Sequence, residues 1–301
     1  MVDGKVCNSV TSNKNTQVCY ICKAGPKQMN DLLTIKQRPI NTYTYSFGLS
    51  TLHAYIRFFE CLLHISYRLE IKHWQIRGEQ NKAKMALKKQ EVIDQFRRKM
   101  GLLVDMPKQG FGNTNDGNTA RRFFENTALS SEITGIDERL IKRFSNILCA
   151  LSCGYALNED AFDSYAMETA SLYVQLYGWY FMPTSVHKIL VHGASVMRSL
   201  LLPIGQLSED VQEARHKEVR WYREHSTMKM SRKCTNTDLI HILLISSDPL
   251  ISSIRPLPVK KPTKLGTEVY SLLKIPEESI CITKRTQFSQ DTDSDSEINS
   301  D

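Results

Sequence analysis

The sequence predicts a mainly α-helical chain, and three observations carry that prediction. Apolar residues recur at intervals of three and four through most of residues 48–250, the stripe that a half-buried helix needs. Ser, Asn, Asp and Pro stand where several of those stretches begin, as helix starts demand. Strong strand signals are scarce, and no internal repeat stands out.

Taken in order, residues 1–45 read as irregular, punctuated by Gly25-Pro26 and Arg38-Pro39. From Gly48 the pattern turns helical, with Leu52, Tyr55, Ile56, Phe59, Leu62 and Leu63 on one face. A second helix is expected over Glu79–Met100, rich in strong helix formers and in bases such as Lys82, Lys88, Arg97 and Arg98. Those bases fall on more than one face, so solvation and contact with a phosphate backbone are both open readings. Gly110–Gly117 is a polar, glycine-rich loop that leads into Arg121 and Arg122. Glycines let backbone amides approach a phosphate and the arginines supply charge, but the lysine pattern of a P-loop is missing. A phosphate-contacting loop and a plain surface loop fit it equally.

Three helices should follow, over Asp137–Cys153, Glu159–Phe181 behind an Asn158 cap, and Thr184–Leu202 after Pro183. The next begins after Pro203-Ile204-Gly205, with Ser208 as N-cap and Glu209-Asp210 in its first turn, and runs to Met228. Thr235 to Asp238 reads as a capping box before a helix over Leu239–Ile245. Pro256, Pro258 and Pro262, interleaved with Lys260, Lys261 and Lys264, form a basic linker, and an acidic tail closes the sequence.

A chain of 301 residues has room for one large domain or two modest ones, each with a sizeable core. Its 41% hydrophobic and 24% charged residues exclude collagen, a coiled-coil rod and a wholly disordered chain. No apolar run is long enough for a transmembrane helix, and Met1 to Lys5 shows no signal-peptide stretch, so a cytosolic or nuclear protein without membrane contact is expected. The formal charge of +7 is unevenly spread. Asp291, Asp293, Asp295, Glu297 and Asp301 hold the tail negative, and without those acids the remainder stands at +12. A body that basic favours polyanions, nucleic acid first.

With no secretion signal, the eight cysteines are expected as thiols rather than a disulfide framework. Cys61, Cys149 and Cys153 lie in apolar, helical stretches and read as core residues. Cys19-Tyr20-Ile21-Cys22 is different, because two thiolates at this spacing can bind one Zn²⁺ from a tight knuckle. That is half a site. His187 and His192 are candidates for the other half, yet five residues along a helix set two rings about 140° apart, less favourable than the usual i, i+4 pair. Alone they read as ordinary helix histidines; with Cys19 and Cys22 they would complete a closed, structural Cys₂His₂ site.

The order Asp3-Gly4-Lys5, Cys19/Cys22, a long helical stretch, His187/His192, Pro203-Ile204-Gly205 and Glu213 resembles Transib-type transposases. It also resembles their vertebrate relative, the catalytic subunit of the V(D)J recombinase. The resemblance spans about residues 1 to 250 and rests on order and spacing, since no single motif is specific. It implies an RNase H-like, three-carboxylate (DDE) recombinase fold with a helical insertion before its last catalytic acid. In that family two Asp and one Glu hold divalent metals that nick DNA and support strand transfer. Asp3 then resembles the second catalytic Asp and Glu213 the catalytic Glu, with Glu209 as the nearby competitor for that role. The zinc is structural in the family. Its first Asp, leading strands and end-binding regions would fall before Met1, so the resemblance implies a truncated fold, catalytically incomplete, with Mg²⁺ or Mn²⁺ engaged only if a full triad is supplied.

The expected division is therefore a knuckle segment over 1–45, a helical insertion over 46–202, a catalytic-helix region over 203–250, and a basic then acidic disordered tail over 251–301. The expected cofactor is zinc on Cys19, Cys22, His187 and His192. Double-stranded DNA is the expected partner, contacted through Arg121 and Arg122, with a homodimer also open and the nucleus as location. The alternative is a zinc-stabilised helical adaptor kept for protein contacts, its acidic tail serving for docking or phosphorylation.

Overall fold

The computed structural model describes residues 4–11, 13, 15–108, 112–207, 210–254 and 265–274. The chain is mainly helical. The helices are α1 (Gly4–Val10), α2 (Leu32–Lys36), α3 (Thr51–Ser66), α4 (Glu79–Met100), α5 (Gly117–Glu125), α6 (Thr127–Thr134), α7 (Glu138–Ser152), α8 (Glu159–Tyr177), α9 (Thr184–Arg198), α10 (Asp210–His225), α11 (Arg232–Ser246), α12 (Pro249–Ile254) and α13 (Thr267–Tyr270). The strands among the described residues are β1 (Pro107–Lys108) and β2 (Gly112–Asn113), paired antiparallel. No described helix is long and apolar enough to cross a membrane.

Helix α3 is the axis of the core. Its Phe58, Phe59, Leu62 and Leu63 are fully buried, and α5, α7 and α9 pack around it. Phe58 meets Phe144 edge-on at 4.6 Å between centroids, and Phe59 meets Phe123 at 4.9 Å. Such offset aromatic pairs add to the burial of their area. The helix starts follow short polar side chains: Ser50, Asp137 and Asn158 accept hydrogen bonds from the amides of His53, Arg139 and Ala161. Gly101 ends α4 at φ +61°, a left-handed conformation that glycine adopts without strain.

Helix bounds differ from the sequence expectation where tertiary bonds intervene. α8 stops at Tyr177, short of Phe181, because Asn30 draws the following turn across the molecule. The Asn30 amide donates to the carbonyls of Gly178 and Tyr180 and accepts from the Met182 amide at 2.8 Å. α9 likewise ends at Arg198 rather than Leu202. α11 starts earlier than expected, capped by Ser231 on the Cys234 amide, so Thr235 and Asp238 are helical residues whose side chains reach back to Met228. Residues 1–45 are less irregular than expected, since they carry α1 and α2, and their Cys19, Ile21, Met29 and Ile35 belong to the same core as α3. The N-terminal segment is thus packed into the body.

The glycine-rich loop has a packing role at one end. A methyl group on Gly117 would lie 2.5 Å from Leu52 Cδ1, so glycine lets α5 approach α3. Before it, Asp105, at φ +51°, receives hydrogen bonds from Tyr67, Asn113 and Asn115 and an ion pair from Lys89 at 3.0 Å.

Residues 204–207 and 267–270, on either side of α10–α12 in sequence, both pack on α7. Gly205 lies against Gly154 so closely that a Cβ would stand 2.5 Å from its nitrogen. The later segment is sewn to the same α7–α8 turn: Asn158 N donates to Leu272 O, Lys274 N to Ala156 O, and Leu157 pairs with Leu273. Glu268 adds bonds from Asn146 and Tyr165. Between the two attachments, α10, α11 and α12 pack mainly on one another, and Ser246 is their only buried residue among those described.

Candidate metal centre

Cys19, Cys22, His187 and His192 form one buried cluster whose ligand atoms all lie within 4.8 Å of one another. The Sγ of Cys22 is 3.3 Å from Nε2 of His187, across 165 positions of sequence. The two histidine rings meet edge to face, 5.1 Å between centroids. Tetrahedral Zn–S and Zn–N bonds put ligand atoms roughly 3.3–3.8 Å apart, so the cluster needs only a slight contraction to hold an ion.

The knuckle is built by its own backbone. Cys19 N donates to Ala24 O, Lys23 N donates to Cys19 O, and Lys23 takes a left-handed φ of +56° to close the turn. Arg38 braces it, with Nε on the Cys22 carbonyl at 2.9 Å and Nη2 on that of Lys23. On a regular helix, Thr184 and Lys188 fall on the strip between His187 and His192. Both meet the knuckle: Thr184 Oγ1 donates to Gln17 O, and the Lys188 ammonium sits 4.5 Å over the Tyr20 ring. The knuckle therefore straddles α9, and one imidazole reaches it from each flank. That is why a nominal separation of about 140° still lets both rings converge.

The donor set fits a metal on two further observations. Nε2 of His192 is buried without a hydrogen-bond partner. In a fully buried site such a nitrogen normally has one. Second, the thiols are electrostatically polarised. Cys22 is held far below the ordinary thiol range, first by its hydrogen bond with Cys19 and then by those with the two histidines. The same bond to Cys22, with burial, pushes Cys19 up. One thiolate is thus already favoured, and a bound cation would favour the second. With four protein ligands in hand, such a site leaves no position open to substrate.

Of the other expected site residues, Asp3 and Glu209 lie outside the described residues, as does the acidic tail. Glu213 lies on α10, and its side chain is outside what is described. Arg121 and Arg122 have partners within the fold. The Arg121 guanidinium lies 5.0 Å over the Tyr55 ring, and Arg122 donates to the Met100 carbonyl at 2.7 Å, satisfying an end of α4. On α4 itself, Lys82, Lys88, Lys89 and Lys99 are ion-paired.

Sequence reasoning missed Arg38, Lys188 and Tyr20 as supports of the metal centre. Arg38-Pro39 was visible only as punctuation, and nothing local marks an arginine that braces a turn. Comparison with protein-family models and with curated proteins finds no match to this chain.

Proposed function

We propose that this chain is a transposase-derived DNA-binding protein, of the DDE recombinase kind, in which one structural zinc joins the N-terminal knuckle to α9. The observation that carries the reading is the Cys19, Cys22, His187 and His192 cluster. Four ligands from two distant segments, in the order the family resemblance implies, support it more than any single motif could. Two thiolates and two imidazoles are a borderline-soft set, which suits zinc.

The RNase H-like identity and the roles of Asp3 and Glu213 remain part of the proposal. A sheet of the RNase H kind needs several strands, and the described residues supply only β1 and β2. This chain is therefore proposed to bind duplex DNA in the nucleus through its basic body, without cutting it alone. Mg²⁺ or Mn²⁺ would be engaged only with a complete carboxylate triad. The test is duplex binding as a function of salt, because phosphate neutralisation gives a steep negative slope in log[salt] and protein contacts do not.

The adaptor reading keeps one observation in its favour. Ile240, Leu244, Leu250 and Ile254 stand more than half exposed on α11 and α12. Exposed aliphatic residues on neighbouring helices mark a protein-contact surface, a second copy included.

A further inference from the structure

Two cavities adjoin the knuckle and share Gln17, Pro26 and Trp74 as lining residues. The first, about 940 Å³, lies between the Gly25–Gln28 turn and residues 73–81. The second, about 730 Å³, runs along α3 from Ser50 to His64, facing the first turn of α9. Lys27 and Arg77 line the first, and Arg57 and Lys188 the second. Glu60 is the only acid lining either cavity, and it is ion-paired to Arg57 at 2.7 Å. In a chain of 39 bases and 32 acids, four bases to one acid is a biased lining. Histidines 53, 64 and 73 add donors and carry no negative charge.

Aromatic rings are set among those bases. Trp74, half-buried against Tyr180 and Phe181 at 4.7 and 5.1 Å, faces both cavities. Tyr20 and Tyr180 line the second but are buried, with the Lys188 ammonium over the Tyr20 ring, so Trp74 is the ring that offers a face. Bases for phosphates and a recessed ring for a nucleobase are what a single strand requires. A duplex keeps its bases stacked inside, where a recessed ring cannot reach their faces.

We infer that these joined cavities form a groove for a single strand of DNA, distinct from duplex contact on the basic body. The inference rests on the DNA-binding reading and names a second form of DNA and its location. Its cations come from four separated segments: the Gly25–Gln28 turn, the chain between α3 and α4, α3, and α9.

The test is fluorescence anisotropy with the full chain, using a labelled 12-nucleotide oligothymidylate and a labelled duplex. The variant is Lys27→Glu with Arg77→Glu, both exposed and outside the metal cluster. The control is Arg232→Glu with Lys233→Glu, the same charge change at the start of α11. The groove variant should weaken single-strand binding at least tenfold and lower its salt slope by about 1.4, near 0.7 per lost phosphate contact. Duplex binding should stay within about twofold in that variant, and the control should leave single-strand binding unchanged. Equal single-strand affinity in wild type and groove variant overturns the groove, as does an equal loss in the control. Wild type that binds duplex but no single strand overturns the groove alone. Wild type that binds neither probe overturns the DNA-binding reading with it.

Discussion

Replacing Cys22 by Ser removes one of the four side chains that could hold a metal while keeping a similar volume in a fully buried position. The cluster bridges residues 165 positions apart, and fixing a loop of that length costs the unfolded chain about 5 kcal/mol of freedom. Part of that constraint survives the substitution. Asn30 still ties residues after the knuckle to the α8–α9 turn, and Thr184 still holds Gln17. The expected loss is about 3 kcal/mol, or roughly 6–12 °C in Tm for a domain of this size. The assay is calorimetry with and without a strong chelator, beside metal analysis of the purified protein. Wild type should carry about one zinc per chain, and chelation should lower its Tm to that of Cys22→Ser while leaving the variant unmoved. Cys234→Ser, outside the cluster, should retain the metal. A metal-free wild type with undiminished stability, or a chelator-insensitive Tm, would refute the argument.

Further outcomes follow from other parts of the structure. Duplex DNA should be bound at low salt with weak sequence selectivity and released by several hundred millimolar salt. Arg121→Ala with Arg122→Ala should flatten that slope, and no mobility shift from wild type at low salt hands the reading to the adaptor. No nicking is expected from this polypeptide with Mg²⁺ or Mn²⁺. Fusing an N-terminal recombinase segment that carries the first Asp should restore nicking, which Glu213→Gln should abolish and Glu209→Gln should not; cleavage by the isolated chain that survives Glu213→Gln removes the assignment. Asp105→Ala should destabilise the fold by about 2 kcal/mol in chemical denaturation, since it leaves the buried Asn115 amide without its acceptor while Lys89 can turn to solvent. Burial raises the Asp105 carboxyl, but Lys89, Asn115 and Tyr67 outweigh it and hold it below the ordinary carboxylate range. Its contribution is therefore complete above the unfolded value of about 4 and lost as pH falls through the lowered folded value, so acid should erase the gap between wild type and variant.

Local signals made much of this fold legible. Asn158 announces its helix because a cap acts on an amide two or three residues away, whereas Ser50 and Asp137 show as caps only in the fold. The Cys19/Cys22 spacing announces a half-site for the same reason. The convergence of His187 and His192 was less legible, because ideal helix geometry says nothing of a knuckle that straddles the helix. Arg121 and Arg122 read as free charge in sequence, whereas their partners, Tyr55 and the Met100 carbonyl, come from other helices. Glu268 and its bonds to α7 and α8 were invisible within a proline- and lysine-rich stretch, since a four-residue helix leaves no periodicity. The same holds for the groove: a tryptophan, three histidines and four bases scattered over the chain become one lining only after folding.

Both attachments of the segment between Leu207 and Leu265 lie on one short turn, and this separates the fate of α10–α12 from that of the core. A segment whose two ends are stapled side by side can lengthen, shorten or open without pulling on what holds it, because closure entropy grows only slowly with length. Amide hydrogens of α10 and α11 would therefore exchange by opening that leaves α3, α7 and α8 shut. A protease cut inside the segment would leave both halves attached under native conditions. Any task given to Glu213 would thus draw its positioning from whatever the appendage lies against, and only indirectly from the α3-centred body.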